Sequence, residues 1–503
     1  FVVSGDVSPA PPTTQPPTTQ PPTTQPPPPA TGVGTGPGSW DPKVDMPLVP
    51  VAAANLPDGK VLLWSSWARY DFVGAGNDFT QTAIYDPATG AVSEREVRNT
   101  GHNMFCPGIA NMPDGRVLVS GGSSTGETSV YNPANDTWED APDMLVGRGY
   151  HSNVTLSDGS VFTVGGSWSG PSGPKGGEIY RNGGWEWLPG IVGDNINTAD
   201  KDGYWRSDNH MWLFAWENGR IFKAGPSRNM FWIDTNGQGS VQDLGTRGAD
   251  VDAMNGNAVM YDTGKILTVG GAEHYEGAPS STNAFVIDIN GAVQAQQIES
   301  LKHGRTMGHS VVLPNGEVVV FGGIGWAQIF TDDGAVMIPE LFDPDTNTFR
   351  DLAPMAVPRT YHSVGILLPD GRVMAGGGGL CGGCGANHAD IEILTPPYLL
   401  DGAGNPAPRP VITSAPGAAG YGQTIPVSVS GGATDFSVVR LSNSTHSVNN
   451  AQRRIPLVIS SSAGDNYSVQ IPANAGVLPP GQYMLFAMNA AGTPSVSTTI
   501  SIG

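Results

Sequence analysis

Seven tight turns ending in glycine recur between residues 40 and 400, and they limit the folds open to this chain more than any other feature. They are Asp58-Gly59, Asp114-Gly115, Asp158-Gly159, Asn218-Gly219, Thr263-Gly264, Asn315-Gly316 and Asp370-Gly371. Most are Asp-Gly or Asn-Gly, the pair favoured in two-residue hairpins, so both central residues are expected at positive φ. After most turns comes an apolar strand ending in small residues: VLVSGG (117–122), VFTVGG (161–166), ILTVGG (266–271), VVVFGG (318–323) and VMAGGGG (373–379). Tyr or Phe before Asp-Pro or Asn-Pro, at Tyr85, Tyr131 and Phe342, marks a third strand.

The turns lie 44 to 60 residues apart, which is the spacing of kelch repeats, about 50 residues for each four-stranded blade. Seven turns predict a seven-bladed kelch-type β-propeller over residues 39–403. Residues 404–503 lose this period but keep alternating strands (Thr424–Ser430, Ser437–Leu441, Tyr467–Ile471, Gln482–Met488, Ser495–Ile502), which fits an immunoglobulin-like β-sandwich. Composition agrees with an all-β chain: only 14% of residues are charged, and glycine (69) and proline (44) abound, against the Ala, Glu, Lys and Leu that helical bundles need. A formal charge of −20 argues against a nucleic-acid partner. No apolar run reaches the roughly 18 residues of a membrane span. Residues 1–38 form a Pro/Thr-rich linker or tail whose repeat, PPTTQPPTTQPPTTQPPPP (11–29), has nothing apolar to bury and favours polyproline II. It reads either as a spacer after a missing N-terminal module or as a plain tail. Low lysine, abundant Ser, Thr and Gly and this linker favour a secreted, extracellular protein.

Counting back nine residues from each turn glycine gives Pro50, Cys106, Tyr150, His210, Asn255, Met307 and His362. Equivalent positions of successive blades form a ring around a propeller axis. A purely structural ring would hold Val, Ala and Ser, so thiol, phenol, imidazole and amide together suggest chemistry. Arg148-Gly149-Tyr150-His151-Ser152 and Arg359-Thr360-Tyr361-His362-Ser363 are two copies of R-x-Y-H-S, with a degenerate third at Arg305–Ser310. Repeat inheritance explains such copies, and so does a Cu(II) site, since imidazole and phenolate suit that ion. Cys106 reads as an inert buried thiol or a reactive one. Cys381 and Cys384 are expected to close a small disulfide: a zinc site lacks a second pair, and thioredoxin-like chemistry lacks its βαβ setting.

The segments GHNMFCPG, RGYHSN, GGSWSG, WRSDNH, RTYHS, GGGGLCGGCGANH and THSVNNAQRRIPL, in this order, closely resemble the galactose oxidase and glyoxal oxidase family of copper-radical oxidases. The resemblance runs from about residue 40 to the end; the family's usual N-terminal carbohydrate-binding module has no counterpart here. It implies one copper ion held by Tyr150, Tyr361, His362 and His446. On its own residues His446 reads as a surface histidine, so the resemblance also implies a hairpin of the C-terminal domain reaching up the propeller channel. Cys106 and Tyr150 are implied to share a thioether bond and carry a cross-linked tyrosyl radical, with Trp168 stacked on it; tryptophan at this position favours the galactose oxidase branch. No organic cofactor is expected, as no dinucleotide fingerprint follows a strand and opens a helix.

The chemistry needs these parts. Oxidising a primary alcohol to an aldehyde removes two electrons, copper cycles by one, and the tyrosyl radical stores the second. The resemblance assigns Tyr361 as general base and leads to dioxygen as acceptor and hydrogen peroxide as product. Arg206, Tyr275, Glu276, Phe72 and Phe330 fall on substrate-contact positions. Glu276 stands where the family type has glutamine, Met307 where it has phenylalanine and Trp205 where it has tyrosine. The expected substrate is D-galactose or a terminal galactoside, handled by a monomer with no nucleic-acid or membrane partner. The alternatives are the same centre acting on aldehydes or non-sugar primary alcohols, and a non-catalytic glycan-binding scaffold.

Overall fold

The structure is a computed structural model and describes residues 33–74 and 77–503; the Pro/Thr repeat lies outside them. Seven sheets each hold one of the seven turns between two adjacent strands: five are made of four consecutive strands, the first and the seventh have five strands each, and an eight-stranded sheet follows them. The first blade runs from Ala52–Asn55 to Val92–Val97, and the sixth from Thr306–Val312 to Thr348–Asp351. The seventh takes Ser363–Leu367, Val373–Gly377 and Asp390–Thr395 from its own stretch and completes itself with Ser39–Trp40 and Val44–Asp45 from the start of the described chain. Pairing first and last strands in one blade closes the ring and leaves the propeller no open seam.

The turns differ from expectation in one respect. Each turn glycine has positive φ, from 66° to 98°, but the residue before it does so only at Asn218. In the first turn Gly59 N–H donates to Leu56 O, Leu56 N–H to Lys60 O, and Lys60 N–H to Asp58 Oδ1. This is a type I turn followed by a left-handed glycine, and in four of the seven turns a proline accounts for it: Pro57, Pro113, Pro314 and Pro369. Proline fixes negative φ at the first central position, which excludes the two-residue primed turn.

The arginines of the R-x-Y-H-S copies are structural. Arg148 bonds Glu178 and the carbonyls of Gly165 and Gly176. Arg305 bonds Glu340 and Gly322 O, and Arg359 bonds Asp390, Glu392 and Gly377 O. Each guanidinium is buried and pins the glycine-rich end of one strand to a carboxylate on the next, so for these three residues repeat inheritance is the right account.

The C-terminal strands run Val411–Ser414, Thr424–Ser430, Asn466–Gln470, Arg454–Ala463, Asp435–Arg440, Gly481–Met488, Thr498–Ile502 and Ala418–Ala419 across the sheet. The sheet curls so that Ile425, Val427 and Val429 share a core with Phe436, Tyr483, Leu485 and Ile500, an immunoglobulin-like arrangement. That core continues into Trp212, Phe214, Phe222 and Met260 of the propeller. The domain covers the turn face: Gly115 lies against Gln482, Gly159 against Pro480, and Gly316 against Arg454.

Between Arg440 and Arg454 the chain enters the central channel. Asn443–Thr445 pairs antiparallel with Ala52–Asn55, where three alanines in a row let the two backbones meet. Descending, Asn450 accepts from Leu213 N–H and donates to the carbonyls of Asn153 and Met211. Gln452 accepts from Val312 N–H and donates to Ser310 O. Replacing Asn450 by Ala strands a buried N–H and should lower the unfolding free energy by about 2 kcal/mol. The readout is the urea midpoint, and Asn450→Asp, which turns a buried carboxylate oxygen toward the Asn153 and Met211 carbonyls, should lose more.

Candidate metal centre

Six of the seven ring positions hold a non-glycine residue in left-handed backbone: Cys106 (φ 62°), Tyr150 (68°), His210 (55°), Asn255 (53°), Met307 (60°) and His362 (69°). Pro50 is excluded by its own ring. Such a conformation costs an L-residue on the order of 1–3 kcal/mol and persists only where its surroundings over-determine it. Bonds between neighbouring ring residues do so. Tyr150 N–H donates to Cys106 O (3.0 Å), His210 N–H to Tyr150 O (2.9 Å), and Met307 N–H to Asn255 O (2.8 Å). The reversal falls at the start of each innermost strand and turns these side chains into the channel mouth.

There Tyr150 and Tyr361 place their hydroxyls in direct hydrogen-bond contact. The Tyr361 ring stacks on His362 with centroids 3.9 Å apart, and His446 lies 4.6 Å from both the Tyr150 and His362 rings. Residues distant in sequence converge because His446 caps the reverse turn Thr445–Val448 at the tip of the channel hairpin, in left-handed backbone at φ 47°. His362 directs Nδ1 to Gly379 O (2.5 Å), which must accept, so Nδ1 carries the proton; Nε2, buried, has no partner. His446 Nδ1 meets Thr445 Oγ1 (2.7 Å), and its Nε2 lies 3.3 Å from Cys106 Sγ. Ligand atoms of Cys106, His362 and His446 fall within 4.8 Å of one another.

Electrostatics make these groups neutral. Burial above all pushes His362 down to about 3, and burial with the neighbouring His362 and His210 holds His446 well below the usual range. Burial, then the neighbouring thiol and phenols, pushes the Tyr150 hydroxyl well above its usual range; burial likewise raises Tyr361 and the Cys106 thiol. Imidazole lone pairs are thus available across the ordinary pH range, while each phenol must shed a proton to bind a metal. An orphaned imidazole nitrogen, a second imidazole and two touching phenols form a nitrogen and oxygen donor set that fits a cupric ion.

The other predicted residues gather round it. Trp168 stacks on Tyr150 at 4.7 Å, and Gly149 makes room, since a Cβ there would lie 3.1 Å from the indole. Arg206 lies over the Tyr275 ring at 4.1 Å and donates from Nη2 to Glu276 Oε2 (3.3 Å), leaving its buried Nε and Nη1 without partners. Tyr275 donates to Tyr361 Oη (3.1 Å). Phe72 and Phe330 stack at 5.5 Å, and each meets His362 edge-on. Met307 is in the same apolar cluster, whereas Trp205 is half exposed. Cys381 and Cys384 are disulfide-bonded on the loop after Gly379, and Cys106 is the free thiol. Left out of the predicted site was His210, which meets Tyr275 Oη (3.1 Å) and stacks on His446 at 5.1 Å. Its ring address was the signal that marked it.

Residues 409–502 match the family described as "Galactose oxidase-like, Early set domain", and residues 256–381 match "Glyoxal oxidase N-terminus". Galactose oxidase of Gibberella zeae is 45% identical over 481 residues, covering 93% of this chain and 71% of that protein. The chain belongs to the galactose oxidase family. A solved structure described as a "novel fungal alcohol oxidase with catalytic diversity among the AA5 family, in complex with copper" superposes with a TM-score of 0.89 at 41% identity, over 93% of this chain and all of that one. An aldehyde oxidase of Vitis pseudoreticulata is 27% identical over 498 residues, 89% of this chain and 91% of its own length. Within this family the chain is a copper-radical oxidase, and the buried thiol beside Tyr150 gains its meaning as the partner in a cross-link. Aerobic copper loading should consume it: thiol titration in denaturant should find one thiol per chain before loading and none after, with the Cys106 and Tyr150 peptides recovered joined. A free thiol in active, metallated protein contradicts the assignment.

Proposed function

We propose that this oxidase converts the primary alcohol of D-galactose and terminal galactosides to the aldehyde, with dioxygen as acceptor and hydrogen peroxide as product. The metal-holding residues in this reading are Tyr150, Tyr361, His362 and His446. The observation that carries it is the convergence of two touching phenols and two neutral imidazoles, one with an orphaned nitrogen, beside a buried thiol. Bound there, copper would supply a one-electron change and the Lewis acidity that makes a hydroxyl easier to deprotonate.

The protein's own groups do the rest. Tyr361 Oη receives the hydroxyl proton, and Tyr275, which donates to that oxygen (3.1 Å) and itself meets His210 Nε2 (3.1 Å), holds it in place. Cross-linking to sulfur spreads unpaired spin over the Tyr150 ring, which takes the hydrogen atom from the carbinol carbon. Trp168 covers that ring from one side and keeps water and reductants away. The unpartnered Nε–H and Nη1–H of Arg206 present donors for vicinal sugar hydroxyls, and Phe72 with Phe330 supplies an apolar wall. Secretion and a monomeric state belong to the same proposal; among the described residues no helix is long and apolar enough to cross a membrane.

One observation favours a second substrate class. Glu276 already occupies Arg206 Nη2, so half of the guanidinium fork is withdrawn from a sugar, which favours smaller primary alcohols or aldehydes. Peroxide release on galactose, glycerol and methylglyoxal separates these readings: galactose is expected to give the highest kcat/KM, and a preference for methylglyoxal contradicts the proposal. Glu276→Gln removes the ion pair and adds a donor. It should raise the galactose-to-glycerol ratio of kcat/KM about tenfold with the radical absorption unchanged.

A further inference from the structure

The loop from Gly378 to His388 enters the chemistry above only through Gly379 O, which accepts from His362, yet it also reaches both segments that carry Phe72 and Phe330. At its start Gly379 N–H donates to Tyr361 O (2.8 Å) and Gly379 O receives His362 Nδ1–H. The disulfide between Cys381 and Cys384 closes its tip. Asn387 is the hub. Its Oδ1 accepts from Cys381 N–H (2.8 Å), and its Nδ2 donates to Gly382 O (2.6 Å) and, across to the first blade, to Tyr70 O (2.9 Å). Gly382 N–H reaches the same Tyr70 carbonyl (2.9 Å). Gly382 must be glycine, for its φ is +69° and a Cβ would lie 2.9 Å from Asp71 Oδ2. Asp71 in turn accepts from Phe72 N–H (2.7 Å). On the other side His388 Nε2 meets Asp332 Oδ2 (2.9 Å), while Thr360 donates to Thr331 O (3.2 Å) and Asp332 Oδ1 (3.3 Å). Phe330, two residues before Asp332, sits in left-handed backbone at φ 56°, a state that needs external support in a bulky residue.

We propose that the disulfide-closed loop is a positioning device for the substrate wall: Asn387 holds the Phe72 segment, and the His388–Asp332 pair holds Phe330 in its strained backbone, so that the two rings stay stacked edge-on over His362. Asn387, His388 and Asp332 touch neither substrate nor metal in this account and act through the two phenylalanines. The inference rests on the reading of Phe72 and Phe330 as substrate contacts.

The test compares Asn387→Ala, Asp332→Ala and the conservative Asp332→Asn in the copper-loaded protein. Asn387→Ala and Asp332→Ala should each raise KM for the preferred primary alcohol about fivefold, the size of one lost hydrogen bond. Their kcat should stay within about twofold, with copper content and radical absorption unchanged. Asp332→Asn keeps an acceptor for His388 and should hold KM near wild type. Independently of activity, hydrogen exchange should quicken in residues 66–74 for Asn387→Ala and in 328–334 for Asp332→Ala, each without the other. Unchanged KM and exchange in both alanine variants overturn the proposal. So does a joint loss of kcat and radical absorption, which would mean that the loop supports the metal centre instead. Should Asn387→Ala fail to fold, the two Asp332 variants decide alone. A wild-type protein that oxidises no primary alcohol, with exchange responding as stated, would sink the substrate reading and leave the mechanical one standing.

Discussion

The innermost strands of a propeller face a channel in which their polar groups have no neighbouring strand, and in this chain one hairpin of another domain answers them. Asn55 receives Ser442 N–H, Asn111 receives Asn443, Asn153 and Met211 receive Asn450, Asn257 donates to Ser447 O, Ser310 receives Gln452, and Gly365 N–H donates to Ser444 Oγ. Every blade is therefore tied to the same strip of backbone. A buried polar group left unpaired costs about as much as a good hydrogen bond contributes, so the strip is required by all seven blades together. The tip of this strip is His446. Its place among the ring residues is set by the bonding below it, which makes the position of the imidazole a property of the whole molecule.

That construction also explains why the site can hold so many titratable groups without charge. Cys106, Tyr150, Tyr275, Tyr361, His210, His362 and His446 are all buried, and burial penalises each charged form. Phenols and thiol keep their protons while imidazoles lose theirs, and the set waits as neutral ligands. A divalent ion would then be the largest local charge and would invert that balance at the phenols. The left-handed ring residues supply the matching mechanical condition. They re-aim side chains that regular strands would have sent into the blades, at a conformational cost offset by hydrogen bonds from one blade to the next.

Much of this was legible in the sequence, for physical reasons. Glycine turns and small-residue strand ends have few alternatives, so seven repeats at one period specified the propeller, and the common address exposed Cys106, Tyr150, His210 and His362. Other features were hidden because they depend on contacts between distant segments. No local pattern marks Thr445-His446-Ser447 as a channel tip, and only the resemblance to known oxidases placed it. Proline before Asp-Gly, as in Pro57-Asp58-Gly59, was in plain view and excludes the two-residue turn, yet the dipeptide alone suggested it. The web around Asn387 had no signal at all, since an asparagine near two cysteines carries no information about a carbonyl more than three hundred residues away.

The two R-x-Y-H-S copies show how small a change separates scaffold from site. In the third blade Tyr150 lies nine residues before its turn glycine, and in the seventh His362 does, because there the stretch from tyrosine to glycine is one residue longer. The innermost strands record the difference as Ser152–Thr155 against Ser363–Leu367. A one-residue shift in a pleated strand exchanges which side chain faces each way. His151 accordingly turns aside to Gly108 N–H and Ser120 Oγ of the preceding blade, while His362 takes the ring position with its Nε2 free. The insertion leaves Tyr361 one step further from the turn, stacked on its own neighbour with its hydroxyl against that of Tyr150. One duplicated motif thereby delivers a phenol from one blade and a phenol with an imidazole from another, and only the count of residues between motif and turn distinguishes them.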